Sequence, residues 1–193
     1  MSVIEDIAAS VQDLTETLRL AAADPADQIR LLINLAQYGL TANQTQGPIV
    51  SASPTAKAKH TAITATSALC RRAALASLAT AVSLYTPVSS SEAQDMLHRL
   101  LPLYDREIQI AGDLGDDTAY SALRDLRTAV SNDLQSRAIN LPEVIAITRA
   151  APLPSLVIAY SLYEDADRAE ELAQRVDTPH PLMMPTTFSA LSS

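Results

Sequence analysis

From Thr55 to Tyr85 the chain contains neither proline nor glycine, and alanine is its commonest residue there. Such a run favours one uninterrupted helix, whose last turns place Leu75, Leu78, Val82 and Tyr85 on one face. At about 1.5 Å per residue that helix is roughly 45 Å long. A compact domain of this size has a radius of gyration of only about 16 Å. The spacing therefore predicts an elongated molecule built on one long central helix.

Helix punctuation organises the rest of the chain. Ser2 and Glu5 form a capping box, after which Ile4, Ile7, Val11, Leu14 and Leu18 recur at alternating steps of three and four, predicting a helix with that face buried. Asp24 before Pro25 is an N-cap followed by a first-turn proline, and Ile29, Leu32, Ile33 and Ala36 make a stripe ending near Gly39. Residues 1–40 thus read as an N-terminal helical hairpin. Residues 41–54 are polar, carry Gly47, Pro48 and Pro54, and read as a loop or linker.

Residues 55–176 read as the main helical domain. Thr86-Pro87 closes the long helix, and Ser89 with Glu92 offers a second capping box. Leu97, Leu100, Leu101, Tyr104 and Ile108 then keep the helical period to Gly112, with Pro102 expected to kink or divide the helix. Asp113 to Asp117 reads as a turn, and Tyr120, Leu123, Leu126, Val130 and Leu134 mark the next helix. Glu143 to Thr148 reads as a short helix or an extended connector, Pro154 starts a short apolar helix, and Ala166 to Val176 makes a polar-faced one. Residues 177–193, with Pro179, Pro181 and Pro185, read as an irregular tail. The expected fold is all-α, an elongated multi-helix bundle with one long central helix and an irregular C-terminal tail.

Composition narrows what such a bundle can do. Apolar residues make up 48% of the chain, enough for a core. Fourteen Lys and Arg against 22 Asp and Glu leave a net charge of −8, which opposes a generally DNA-coating surface. The single Cys70 cannot form an internal disulfide, and no apolar run approaches the roughly 18 residues of a membrane span. Met1 to Asp6 carries two acids and no base, the wrong sign for a secretory leader.

No constellation for catalysis or cofactor binding stands out, so neither an enzyme, a cofactor nor a metal is expected. The four glycines form no phosphate-binding loop, and His60, His98, His180 and Cys70 have no zinc spacing. The carboxylate pairs Asp165/Asp167 and Glu170/Glu171 suit a helix start, where acids complement the dipole. One charge feature is less bland. Between Thr55 and Ser91 lie Lys57, Lys59, Arg71 and Arg72 and no acid, so this stretch is +4 and leaves −12 for the remainder of a −8 chain. These bases either pair with acidic helices of the same chain or form a docking stripe for an acidic partner, a neighbouring copy or nucleic acid. No aromatic residue interleaves with them, which argues against stacking on single-stranded nucleic acid.

The stretch from Leu153 to Leu172 carries four short signatures in order: Leu153-Pro154 at a helix start, Ala159-Tyr160, Leu162-Tyr163-Glu164-Asp165, and Arg168-Ala169-Glu170-Glu171-Leu172. In these it resembles the end of the DNA circularisation proteins of Mu-like bacteriophages. Asp24-Pro25-Ala26-Asp27, Arg71-Arg72-Ala73-Ala74-Leu75, and Asp116 to Tyr120 with Leu123 to Arg127 are similar to earlier parts of that family's helical C-terminal region. Full-length members add an N-terminal domain, so the resemblance implies either the C-terminal part of such a protein or a shorter, split one. It also implies a structural component of a tail or baseplate, located in the virion and in the host cytoplasm before assembly. Its implied partners are copies of itself, as a homo-oligomer, and baseplate or hub proteins. Lys57, Lys59, Arg71, Arg72, Tyr160 and Tyr163 are the candidate contact residues, with a buried core role as the alternative for the two tyrosines. The family name suggests the alternative of binding phage DNA ends during injection or circularisation, which the net charge opposes unless the basic helix alone makes the contact.

Overall fold

The computed structural model describes residues 3–44 and 53–192. In chain order they form α1 (Val3–Leu20), α2 (Pro25–Gln44), α3 (Pro54–Leu84), α4 (Ser90–Asp113), α5 (Asp117–Ala138), β1 (Val144–Thr148), α6 (Ser155–Tyr163), α7 (Ala169–Val176) and β2 (Thr187–Leu191). The described chain is mostly helical, with seven helices and one two-stranded sheet.

Helix ends follow local chemistry. The Ser53 hydroxyl accepts the Ala56 N–H at 3.3 Å and Pro54 occupies the first turn, so α3 starts at the end of the expected linker and runs for 31 residues. The Ser89 hydroxyl accepts the Glu92 N–H at 3.2 Å, and the Glu92 carboxylate reaches back to the Val88 N–H at 2.8 Å. Asp116 caps α5 through the Ala119 N–H at 3.1 Å, after a turn in which Gly115 takes a left-handed φ of 69°. Pro102 does not divide α4, which runs unbroken through it.

The chain divides into two compact units: residues up to Thr86 together with Met96–Gln135, and Pro87–Asp95 together with Ser136–Ser193. This differs from a hairpin, a linker, a main domain and a tail. The N-terminal helices belong with α3 because Ile29 and Leu32 of α2 share one buried cluster with Leu75, Leu78 and Val82 of α3. Leu97, Leu100 and Tyr104 of α4 and Leu123, Val130 and Leu134 of α5 complete that core. Of the expected linker 41–54, residues 41–44 continue α2 and 53–54 start α3, while 45–52 lie outside the described residues.

α1 corrects a second expectation. Its stripe of apolar residues is covered only in part: Val11 and Leu18 are half-buried, but Ile7 is 48% and Leu14 59% exposed, whereas Thr15 is 1% exposed. The Ser77 hydroxyl of α3 donates to Thr15 at 3.4 Å. The Arg19 guanidinium pairs with Glu16 and donates to the Gln28 side chain at 3.2 Å, which in turn donates to the Ala22 carbonyl at 2.9 Å. The cause lies in α3, whose Leu75, Leu78 and Val82 are already covered in the shared core. The α3 flank facing α1 carries Leu69 followed by Ala73, Ala76, Ser77 and Thr80, so beyond Leu69 it offers contact mainly to small and polar groups.

The C-terminal tail is not irregular throughout. β2 pairs antiparallel with β1, Ile145 opposite Ala190 and Ile147 opposite Phe188. Alternation then sends Phe188 and Ala190 into a cluster with Ile158, Ala159, Leu172 and Met184. The ambiguous segment 143–148 is therefore a strand, held by a partner some 40 residues later in the chain.

Candidate protein-interaction surface

The four bases of the acid-free stretch do not form one stripe. Lys57 and Lys59 are exposed on the first turns of α3, about 200° apart around the helix axis, and roughly 18 Å separates Lys59 from Arg71 along it. Arg71 corrects the contact expectation outright. It is buried and donates from Nε to Glu107 Oε2 at 2.7 Å, both side chains being 2% exposed. Arg72 donates to the other Glu107 oxygen at 3.1 Å and to Asp116 at 2.7 Å. The two arginines thus bind α3 to α4 and to the start of α5. Burial works against the Arg72 charge, but its hydrogen bonds to Asp116 and Glu107 outweigh that and raise its pKa. The same bond from Arg72, aided by the Ala119 N–H, holds Asp116 below the usual carboxylate range. Nearby, the buried Tyr104 hydroxyl donates to the Leu75 carbonyl at 2.9 Å, and burial pushes its pKa up.

The tyrosines separate in a different way. Tyr160 is 64% exposed. Tyr163, one helical turn on, is half-buried against the second core, and the Arg168 guanidinium lies 3.7 Å from its ring centre. Arg168 is in turn tied to Glu171 at 3.0 Å, a bond that raises its pKa. Tyr163 and Arg168 therefore lock the α6 to α7 connection, and Tyr160 alone faces outward.

Two residues escaped sequence reasoning. Leu156 and Val157 are exposed on the same flank of α6 as Tyr160. The available signal was that Ser155 to Tyr163 is apolar almost all round, so that any single docking direction leaves apolar groups uncovered. The Ser155 N–H donates to the Pro181 carbonyl at 2.7 Å, placing the exposed Leu182 and Met183 close to the start of α6. Leu156 and Pro181 also line an open groove with Ala169, Ala173 and Thr178. Glu164, Asp165, Asp167, Glu170 and Glu171 supply an acidic border on α7 and the turn before it.

Among the described residues no group of three or more His, Cys, Asp or Glu is placed to hold a metal ion, and no helix is long and apolar enough to cross a membrane. No protein-family model matches the chain, and no curated protein matches it.

Proposed function

We propose that this protein is a non-enzymatic structural component of a bacteriophage or phage-derived tail or baseplate, working in the virion after assembly from the host cytoplasm. It acts through helix-face contacts with hub or baseplate proteins and with copies of itself. The observation that carries this reading is the α6 face. The segment Leu153–Leu172, in which the chain resembles the Mu-like DNA circularisation proteins, folds as a helix pair and leaves Leu156, Val157 and Tyr160 uncovered. A contiguous apolar patch with a charged border is the usual composition of a protein contact, and here it fits a partner with apolar knobs and a basic rim.

The test is mass spectrometry of purified tail particles from the host that encodes the chain. The protein is expected in defined copy number, and Leu156→Asp with Tyr160→Asp is expected to stay folded yet fail to join the particle. Infectious particles that lack the protein altogether overturn the reading.

A DNA-end-binding role is the second reading, favoured only by the exposed Lys57 and Lys59 on an acid-free helix start. Fluorescence anisotropy with duplex ends at low salt is expected to show no binding. A steep salt dependence that weakens on Lys57→Ala and Lys59→Ala substitution replaces the structural reading with this one.

A further inference from the structure

α1 presents an apolar seam that its own fold covers only in part, Ile7 and Leu14 being exposed and Val11 and Leu18 half-buried. Ile7, Val11, Leu14 and Leu18 follow steps of four, three and four, the spacing of the first and fourth positions of a heptad. Val11 and Leu18 then stand at first positions and Ile7 and Leu14 at fourth positions. An open groove of about 350 Å³ runs along Ile7, Ser10, Val11 and Leu14, a receptacle on the seam itself. Thr15 and Arg19, which do dock onto the rest of the unit, lie on the adjoining flank.

α2 widens this surface. Gln28, Leu31, Leu35 and Tyr38 share one stripe at steps of three, four and three, and Gln28 at its head is bonded to Arg19 of α1. The stripe therefore starts against α1, and Leu31 and Tyr38 are exposed along it.

We propose that α1 and the adjoining stripe of α2 form a homodimer interface, each copy seating Ile7, Val11, Leu14 and Leu18 against the same residues of a second copy. Charge selects this occupant. The chain carries −8, so two copies repel except where the approaching faces are neutral. The positions flanking the seam are Ala8, Ser10, Thr15 and Thr17, Asp6 lines one end of the groove, Asp13 and Glu16 lie outside it, and beyond Arg30 the described part of α2 carries no charge. Apart from Asp6 a partner recognised by charge has nothing to read here, whereas an identical, largely uncharged seam does. Size is compatible: the exposed parts of Ile7, Leu14, Leu31 and Tyr38 amount to on the order of 500 Å² of apolar surface per copy, in the upper part of the roughly 300–600 Å² of the largest patch on a monomer. With its polar rim this approaches the roughly 800 Å² per partner of a standard interface. The dimer does not depend on a tail role and stands or falls separately from it.

Light scattering and sedimentation of the full chain at about 100 μM test it. The wild type is expected at twice the 20.6 kDa chain mass. Leu14→Glu, at a position exposed in the single chain, is expected at one chain mass with unchanged far-UV circular dichroism. In a Cys70→Ser background, Leu14→Cys is expected to trap a disulfide-linked dimer on mild oxidation and Asp13→Cys to trap none. A monomeric wild type, a Leu14→Glu variant of undiminished mass, or equal trapping at positions 13 and 14 overturns the proposal. A monomer that nevertheless appears in tail particles rejects this interface and leaves the tail reading standing.

Discussion

Glu107→Ala is the most informative single perturbation of the first unit. Glu107 lies on α4 with its carboxylate 2% exposed, accepting from Arg71 at 2.7 Å and from Arg72 at 3.1 Å. Truncation removes the anion but leaves the Arg71 guanidinium inside, too far from water to recover its hydration. Removing one partner of a buried pair typically costs about 3–5 kcal/mol, because the surviving charge has been desolvated without its counter-ion. Against a total stability of about 5–15 kcal/mol, that is a large fraction. In urea, with a slope near 2 kcal/mol/M, the midpoint followed by far-UV circular dichroism should fall by roughly 2 M with little change in slope. Arg71→Met combined with Glu107→Leu removes both charges and fills the space, and should return to within about 1 kcal/mol of wild type. A loss below about 1 kcal/mol for Glu107→Ala, or a double variant as unstable as the single one, refutes the assignment of the pair as the electrostatic centre of this core.

Further consequences can be measured in the same way. Phe188→Ala should cost about 3 kcal/mol by emptying the site that β2 fills, and should lower hydrogen-exchange protection at Ile158 and Leu172. Gly115→Ala places a Cβ at φ 69° and should destabilise by about 1 kcal/mol despite open space around it. Gly112→Ala, in helical backbone with Tyr120 at an ordinary 3.6 Å, should stabilise by a few tenths to 1 kcal/mol, both read from thermal melts. Asp116 and Glu16 are held low chiefly by hydrogen bonds from Arg72 and Arg19, so the unfolded chain binds more protons at these sites than the folded one. Their contribution is complete above the unfolded carboxylate pKa and drains away as pH falls through about 4 and below. Melting temperatures between pH 7 and pH 3 should show this slope, and Arg72→Ala should flatten it.

The apolar faces of α1 and α6 lie in different units and differ in character. The α6 face is bordered by acids and suits a partner of opposite charge, whereas the α1 seam is flanked by uncharged residues and suits its own copy.

Helix placement was largely legible in the sequence because caps, prolines and apolar spacing act within a few residues. Ser89 with Glu92 and Asp116 with the following turn signalled where α4 and α5 begin, and the absence of breakers from Thr55 to Tyr85 signalled α3. Only tertiary structure decided which side of a helix is inside. In α1 the periodic stripe marks an apolar face, but whether the fold covers it depends on what α3 has left to offer, and there, beyond Leu69, it offers small and polar groups. The strand pair had the same origin: five residues among prolines carry little signal until a distant segment supplies their hydrogen bonds. The fate of the bases followed the same rule. Sequence placed Arg71 and Arg72 on α3, but the choice between a surface stripe and a buried bridge was made by Glu107 and Asp116, 36 and 44 residues along the chain from their partners. Local signals determine where helices start and stop, whereas burial and pairing are properties of the whole packed unit, because a charge or an apolar face acquires its energy from whatever the rest of the fold brings against it.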